Sequence, residues 1–223
     1  MKILKIGRYA LMLSVALTLA SCNKNENIVK WLTSEQKETY AQNLSGGYPG
    51  KYFIIYTNKD CKENEAYEEI ISDVQVDVLK YSMSHVLFEN FPVSIISKVV
   101  DADEELSQAL ANTPPLTIAA RYNFQYDTDY SNIVWNFTPN VLTLELNYNG
   151  EVHNISVEFS NGGRYYKDTE EELKQPNAFI HLTCGSLQLQ LRAIYDGSKL
   201  IQNFSSGKGN EMDILFMSDR NNK

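Results

Sequence analysis

Cysteine and histidine are scarce in this sequence of 223 residues, which contains three of each. His85, His153 and His181 lie far apart, without the i,i+4 spacing that places two imidazoles on one helix face, so the pattern predicts no zinc site. The chain also lacks the G-x-S-x-G and Walker A sequences that position a nucleophile or a phosphate. We therefore expect no metal, no cofactor and no catalytic role.

Positive charge is scarce as well. The first 21 residues hold three basic residues and no acidic one, and the rest of the chain holds 17 basic against 28 acidic residues, a net charge of −11. An acidic body of this kind has no affinity for a phosphate backbone or an anionic membrane surface. Nucleic acid is therefore excluded as a partner.

Long apolar runs are missing too. No uncharged apolar run reaches the roughly 20 residues that a membrane-spanning helix needs. Three basic residues among the first eight precede an uncharged stretch from Tyr9 to Leu19, and the small residues Ala20 and Ser21 follow. A cationic start, a short apolar centre and small closing residues form the layout of an export signal.

The segment closes with Leu19-Ala20-Ser21-Cys22, which resembles the lipobox of bacterial lipoproteins. The resemblance implies that residues 1–21 are a signal peptide, that Cys22 carries acyl chains such as palmitate, and that residues 22–30 tether the domain to a membrane. Each buried methylene contributes about 0.8 kcal/mol, and three acyl chains give a stable anchor. In such lipoproteins an Asp after the cysteine would indicate retention in the inner membrane. Asn23 stands there instead, which favours the outer membrane, on its periplasmic or its surface side.

Two cysteines remain after Cys22. In the oxidising envelope Cys61 and Cys184 are a candidate disulfide, and closing so long a loop contributes about 4 kcal/mol in the chain-entropy model. Cys61 is predicted in a loop and Cys184 at a strand end. Two free thiols are the alternative.

A short helix is predicted at the start of the domain, followed by strands. Thr33 and Gln36 have the spacing of a capping box, which predicts a helix from Ser34 to Leu44. Further along, apolar and polar residues alternate, as at residues 74–78 and 116–125. This period of two is typical of half-buried strands.

The clearest local prediction is a hairpin at Asn149-Gly150, because this pair is preferred in a two-residue type I′ turn. The turn fixes the register, since a slip of one residue would place leucines opposite polar side chains. The predicted pairs are Tyr148 with Glu151, Leu146 with His153, Leu144 with Ile155 and Leu142 with Val157.

About nine strands are predicted, among them one from Phe179 to Cys184. A helical insertion of two short helices at about residues 93–112 interrupts them. Many short strands without a βαβ rhythm indicate a mainly β class, with an antiparallel β-sandwich or a barrel-like fold as the two alternatives. The length after the signal suits a single domain from residue 31 to residue 223.

Several segments resemble an uncharacterised family of lipoproteins from Bacteroidota, a domain of unknown function. The resemblance rests on the lipobox, on the helix before Gly46-Gly47-Tyr48-Pro49-Gly50-Lys51-Tyr52, and on Phe91-Pro92-Val93-Ser94-Ile95-Ile96 with Leu106 and Ala109-Leu110 after it. It covers most of the chain after the signal. The family has no assigned activity, so the resemblance implies no catalytic residues.

One loop combines tyrosines and carboxylates and is the candidate ligand contact. Exposed rings beside carboxylates can stack on sugars or serve as contact anchors, while half-buried tyrosines of a sheet are the alternative. The D-x-D-x-S spacing in this loop lacks the Gly and Glu that a calcium loop needs at its sixth and twelfth positions. The candidate residues are Tyr122, Tyr126, Asp127, Asp129 and Tyr130.

These observations predict a lipid-tethered outer-membrane protein that acts by binding, without catalysis. The expected partner is another envelope protein or a glycan. The alternative is a β-barrel that carries a small apolar ligand in its interior, and an enzyme of unknown type is the third reading.

Overall fold

The computed structural model describes residues 30–62, 65–80, 84–164, 166–176, 178–179, 185–204 and 210–219. Strands make up 54 % of this part, which confirms the mainly β class. Residues Trp31–Lys223 cluster as one unit by their contacts. In the part of the chain that the structure describes, no helix is long and apolar enough to cross a membrane.

Besides the helical residues 178–179, the described part contains four short helices and eleven strands. The helices are α1 (Ser34–Leu44), the 3₁₀ helix η1 (Val93–Val99), α2 (Glu104–Ala111) and α3 (Glu170–Leu173). The strands are β1 (Gly46–Thr57), β2 (Tyr67–Val78), β3 (His85–Phe91), β4 (Leu116–Tyr126), β5 (Ile133–Pro139), β6 (Leu142–Tyr148), β7 (Glu151–Ser160), β8 (Tyr166–Asp168), β9 (Ser186–Asp196), β10 (Lys199–Asn203) and β11 (Glu211–Ser218).

All of these strands belong to one antiparallel sheet. Its order is β6-β7-β9-β11-β1-β2-β3-β4-β5-β8, and β10 pairs with β9 beside this path. The sheet curls into a half-barrel, and Cα atoms of β5 and β7 approach within 8 Å across it. Of the two predicted architectures, the barrel-like one is therefore closer than the two-sheet sandwich.

The concave face of the sheet holds the hydrophobic core. Alternate residues point inward along strands such as β1, β4 and β9, and Tyr52, Phe124 and Leu189 are all fully buried there. The rings of Phe91 and Phe159 meet edge to face across the interior at 5.6 Å. The core therefore joins the first half of the sheet to the second.

The predicted first helix and its cap are confirmed. The Thr33 hydroxyl accepts the N–H of Gln36, and the Gln36 side chain accepts the N–H of Thr33, so each satisfies an otherwise unpaired backbone donor. Tyr40, Ala41 and Leu44 form the buried face of α1.

The helical insertion is also confirmed, as η1 and α2. Asp103 caps α2 by accepting the N–H of Leu106 at 3.0 Å, and Leu106 and Leu110 are buried in the core. Thr113 closes the helix, because its hydroxyl donates to the carbonyl of Ala109 at 3.0 Å. Pro114 and Pro115 then prevent a further turn.

The hairpin has the predicted register, with Tyr148 opposite Glu151 and Leu144 opposite Ile155. Both turn residues have positive φ, 52° at Asn149 and 80° at Gly150, as a type I′ turn requires. The predicted strand 179–184 differs, because Phe179 is helical and stacks on Tyr48, with ring centroids 4.1 Å apart. Residues 180–184 lie outside the described part.

Candidate functional site

The loop after β4 is held together by Asp127. This side chain is buried and accepts the N–H of Ser131 and the Nδ2–H of Asn132, each at 3.0 Å. These hydrogen bonds, led by that from Asn132, hold the pKa of Asp127 well below its usual range. The Nζ atom of Lys167, on β8, lies 3.7 Å from Asp127 Oδ2. The carboxylate is thus occupied in closing the loop.

The predicted tyrosines divide between interior and surface. Tyr122 is buried and its hydroxyl donates to the carbonyl of Leu79 at 2.6 Å. Tyr126 meets the exposed Tyr130 edge to face at 6.0 Å, and Asp129 accepts from Ser131 beside them. The structure therefore leaves Asp129 and Tyr130 exposed and Tyr126 half-buried against the core. Their contact with a ligand stays a prediction.

Two predicted modifications fall largely outside the described residues. Cys22 and Cys184 both lie there, so the lipidation and the disulfide stay predictions. Cys61 is half-buried, and its Sγ lies 3.5 Å from the backbone nitrogen of Asn58.

A groove lies along β6, between this strand and the turn that follows α2. It has a volume of about 480 Å³, above the roughly 300 Å³ at the lower end for ligand sites. The lining residues are Ala109, Asn112, Thr113, Pro114, Leu116, Thr143, Leu144, Glu145, Leu146 and Asn147.

The hairpin register determines where the main chain of β6 points. In a two-residue hairpin the pair beside the turn is hydrogen-bonded, and such pairs alternate along the ladder. Leu142, Leu144 and Leu146 therefore bond to β7, in step with Tyr148. The N–H and C=O groups of the alternate residues point the other way, towards the groove. Those residues are Thr143, Glu145 and Asn147.

The outward backbone groups of β6 have no protein partner among the described residues. No backbone or side-chain hydrogen bond links Thr143, Glu145 or Asn147 to α2 or to the turn beyond it. Edge groups of this kind are a template for another chain. The groove therefore offers three donors and three acceptors in the spacing of a strand.

The two sides of the groove differ in polarity. Leu144 and Leu146 are buried on the inner side of β6, and Ala109 and Leu116 pack partly buried near them. The side chains of Thr143, Glu145 and Asn147 are exposed on the outer side. Glu145 is the one charged residue among the ten that line the groove. An occupant consequently meets an apolar floor and a rim with one negative charge.

A histidine–aspartate pair lies beside the hairpin of β6 and β7. His153 Nδ1 lies 2.7 Å from Asp196 Oδ2, and its ring stacks on Tyr148 with centroids 3.8 Å apart. Burial, followed by the charges of Asp196 and Asp103, raises the pKa of Tyr148 to about 12. Tyr148 is therefore a neutral packing residue at ordinary pH, and the pair fixes the hairpin.

The interior also holds a row of aromatic residues with an unsatisfied donor. Phe124, Trp135 and Tyr166 are neighbours on β4, β5 and β8, and the rings of Trp135 and Tyr166 are 5.3 Å apart. The Nε1–H of Trp135 is buried without a hydrogen-bond partner in the described part. Buried polar groups without a hydrogen-bond partner are uncommon in folded proteins.

Sequence reasoning missed the groove. The alternation of Thr143, Glu145 and Asn147 with leucines marked an outer face, but it carried no information on which strand would lie at the edge of the sheet. That depends on pairings between distant segments. Among the described residues, no three His, Cys, Asp or Glu side chains group closely enough to hold a metal ion.

A family model described as a domain of unknown function (DUF4840) matches residues 43–183, well over half of the chain. The match covers both walls of the groove. No curated protein and no solved structure matches the chain.

Proposed function

Because the chain belongs to the DUF4840 family, a domain of unknown function, we propose its role from its own residues: a lipid-anchored, non-catalytic binding module of the bacterial cell envelope. We propose another envelope protein as the partner. The observation that carries this proposal is the groove along β6, where unpaired main-chain groups lie beside an apolar floor.

The anchor part of the proposal rests on the N-terminal segment. The lipobox resemblance at residues 19–22 supports lipidation of Cys22, and the resemblance to Bacteroidota lipoproteins supports an origin there. Asn23 supports the outer membrane. An acyl anchor suits a domain with net charge −11, since electrostatics would not hold such a domain on an anionic bilayer.

The partner part favours a protein over a glycan. A glycan site of the stacking type needs exposed rings with free polar groups near them, and the best-placed carboxylate, Asp127, is occupied within its loop. The edge of β6 instead offers a repeating set of backbone groups, which complements another polypeptide.

The test is made in the native host with the full-length protein. Cys22→Ser should move the protein from the membrane fraction to the soluble fraction, and Cys61→Ser should leave it in the membrane fraction. In mild detergent the wild-type protein should migrate as a complex larger than one chain. A soluble wild-type protein, or one that migrates alone, would overturn the proposal.

A carrier of a small ligand is the second candidate, favoured by the buried Nε1–H of Trp135. A ligand with an acceptor oxygen could satisfy this donor from within the half-barrel. Native mass spectrometry of the purified domain should then show a bound small molecule that is lost in Trp135→Phe. Identical masses before and after denaturing extraction would remove this candidate.

A further inference from the structure

We propose that the groove receives an extended segment of the partner, which adds as a strand to the free edge of β6 and places a lysine or arginine opposite Glu145. This inference rests on the proposed function and specifies how the partner is recognised.

The main chain of β6 sets the length and form of the occupant. Residues 143–147 span about 14 Å at the rise of a strand, and every second residue directs its N–H and C=O into the groove. Only an extended backbone repeats donors and acceptors at this spacing. About five residues of the partner would therefore pair with β6.

The side chains set the pattern of the occupant. Successive residues of an added strand point alternately to the floor and to the rim. The floor, near Leu144, Leu146 and Leu116, suits small apolar side chains. Glu145 stands at the middle of the rim, and opposite charges on facing strand positions are favourable. A basic residue flanked by apolar ones fits this arrangement.

A second copy of this chain fits poorly. Antiparallel pairing of two β6 strands about their centre would set Glu145 opposite Glu145 of the other copy, and like charges directly opposite each other are destabilising. Both copies also carry the same net negative charge. The charge of the rim therefore favours a different chain.

The features that β6 lacks distinguish it from a protected edge. Proteins guard free edges with lysine, proline, bulges or short strands. β6 has seven residues without lysine or proline, and its pairing with β7 shows no bulge. The turn after α2 stands beside it but leaves the groove open.

The test begins with photo-crosslinking in cells. A photoreactive phenylalanine analogue in place of Asn147 lies at the rim of the groove. The same analogue in place of Asn154 is the control, because Asn154 is exposed on β7 away from the free edge. We expect adducts to one segment of another protein from position 147, and at least tenfold fewer from position 154. Adducts to a second copy of this chain, or equal yields from both positions, would overturn the proposal.

The second measurement uses a synthetic nonapeptide with the cross-linked sequence. Strand addition uses the N–H groups of alternate peptide residues only, so N-methylation of one alternate set should weaken binding at least tenfold while methylation of the other set changes it less than twofold. Equal effects of both sets would exclude a strand. Glu145→Lys should weaken the peptide at least fivefold, and Lys or Arg→Glu in the peptide should restore it.

These outcomes separate this inference from the proposed function. A partner that cross-links from Asn154 and not from Asn147 would keep a binding module while removing strand addition at β6. A peptide whose affinity changes with neither N-methylation pattern would likewise keep the binding module and exclude strand addition at β6. Loss of the complex in detergent would instead overturn the proposed function itself.

Discussion

The sheet ends at β6 on one side and at β8 on the other, and the two strands are built differently. β8 has three residues, including Lys167, and the chain turns at once into α3. β6 has seven residues, a single acidic side chain and a groove beside it. Each strand pairs with one neighbour only along the described sheet.

The contrast shows that the same requirement, an edge that does not aggregate, can be met in two ways. At β8 the strand is too short to template another chain, and helix α3 follows directly. At β6 the strand is long enough to pair, and a neighbouring wall restricts access instead of blocking it. Of these two edges, only β6 is long enough for the strand addition proposed above.

The largest expected effect on stability distinguishes the N–H groups of β6 that bond to β7 from those that point to the groove. Leu144→Pro removes an N–H that bonds to β7 and replaces a buried leucine side chain. It should lower the free energy of unfolding by about 3 kcal/mol or more. Glu145→Pro removes an N–H that points to the groove, and should cost only about 1 kcal/mol. Urea denaturation of both variants checks this. Equal losses would contradict the inference that the N–H of Glu145 is unpaired.

The next effect concerns the β8 edge. Thr169 caps α3 and forms a capping box with Glu172. Thr169→Ala should lower the free energy of unfolding by about 1 kcal/mol, while Thr169→Ser, which keeps the hydroxyl, should stay close to the wild type. Thermal unfolding measures both. If alanine is harmless, α3 contributes nothing to the protection of β8.

A smaller effect should depend on pH. The pKa of Asp127 is lowered in the folded state by its hydrogen bonds, chiefly from Asn132, so its contribution is present above the unfolded pKa of about 3.9 and is lost as pH falls below it. Asp127→Asn should therefore be less stable than the wild type at pH 7, with a narrower gap at pH 3. Denaturation curves at both pH values measure this difference in the free energy of unfolding. The same difference at pH 7 and pH 3 would show that the charge of Asp127 does not contribute to stability.

The smallest effect on stability is expected at the rim of the groove. Glu145→Lys changes an exposed side chain, so the free energy of unfolding should shift by no more than about 0.5 kcal/mol. Circular dichroism during thermal unfolding checks this. A larger loss would mean that Glu145 supports the fold, and its effect on binding could no longer be read as recognition.

The features predicted correctly from the sequence are local ones. The capping box at Thr33 involves neighbours three residues apart, and the hairpin at Asn149-Gly150 is set by two adjacent residues. The helical insertion follows from apolar spacing in one segment. In each case the residues that decide the structure are close together in the chain.

The features that were missed depend on distant segments. β8 and β10 are short and carry little alternation of their own, so their pairing with β5 and β9 defines them. Phe179 was predicted in a strand with residues 180–184. It is helical instead, and its ring stacks on that of Tyr48, which is 131 positions earlier in the chain. Ligand contact by the loop after β4 stays a prediction, and the role of Asp127 within that loop depends on Asn132 and Lys167, which lie near it only in the folded chain.

The position of β1 has a consequence for how the molecule matures. The first strand of the domain lies between β2 and β11, the last strand. A ribosome or an export channel releases the chain from its N-terminus. One edge of β1 therefore stays unpaired until β11, which ends at Ser218, has emerged. Pairing between segments so far apart in the chain forms slowly and leaves a strand edge open to aggregation until it is complete.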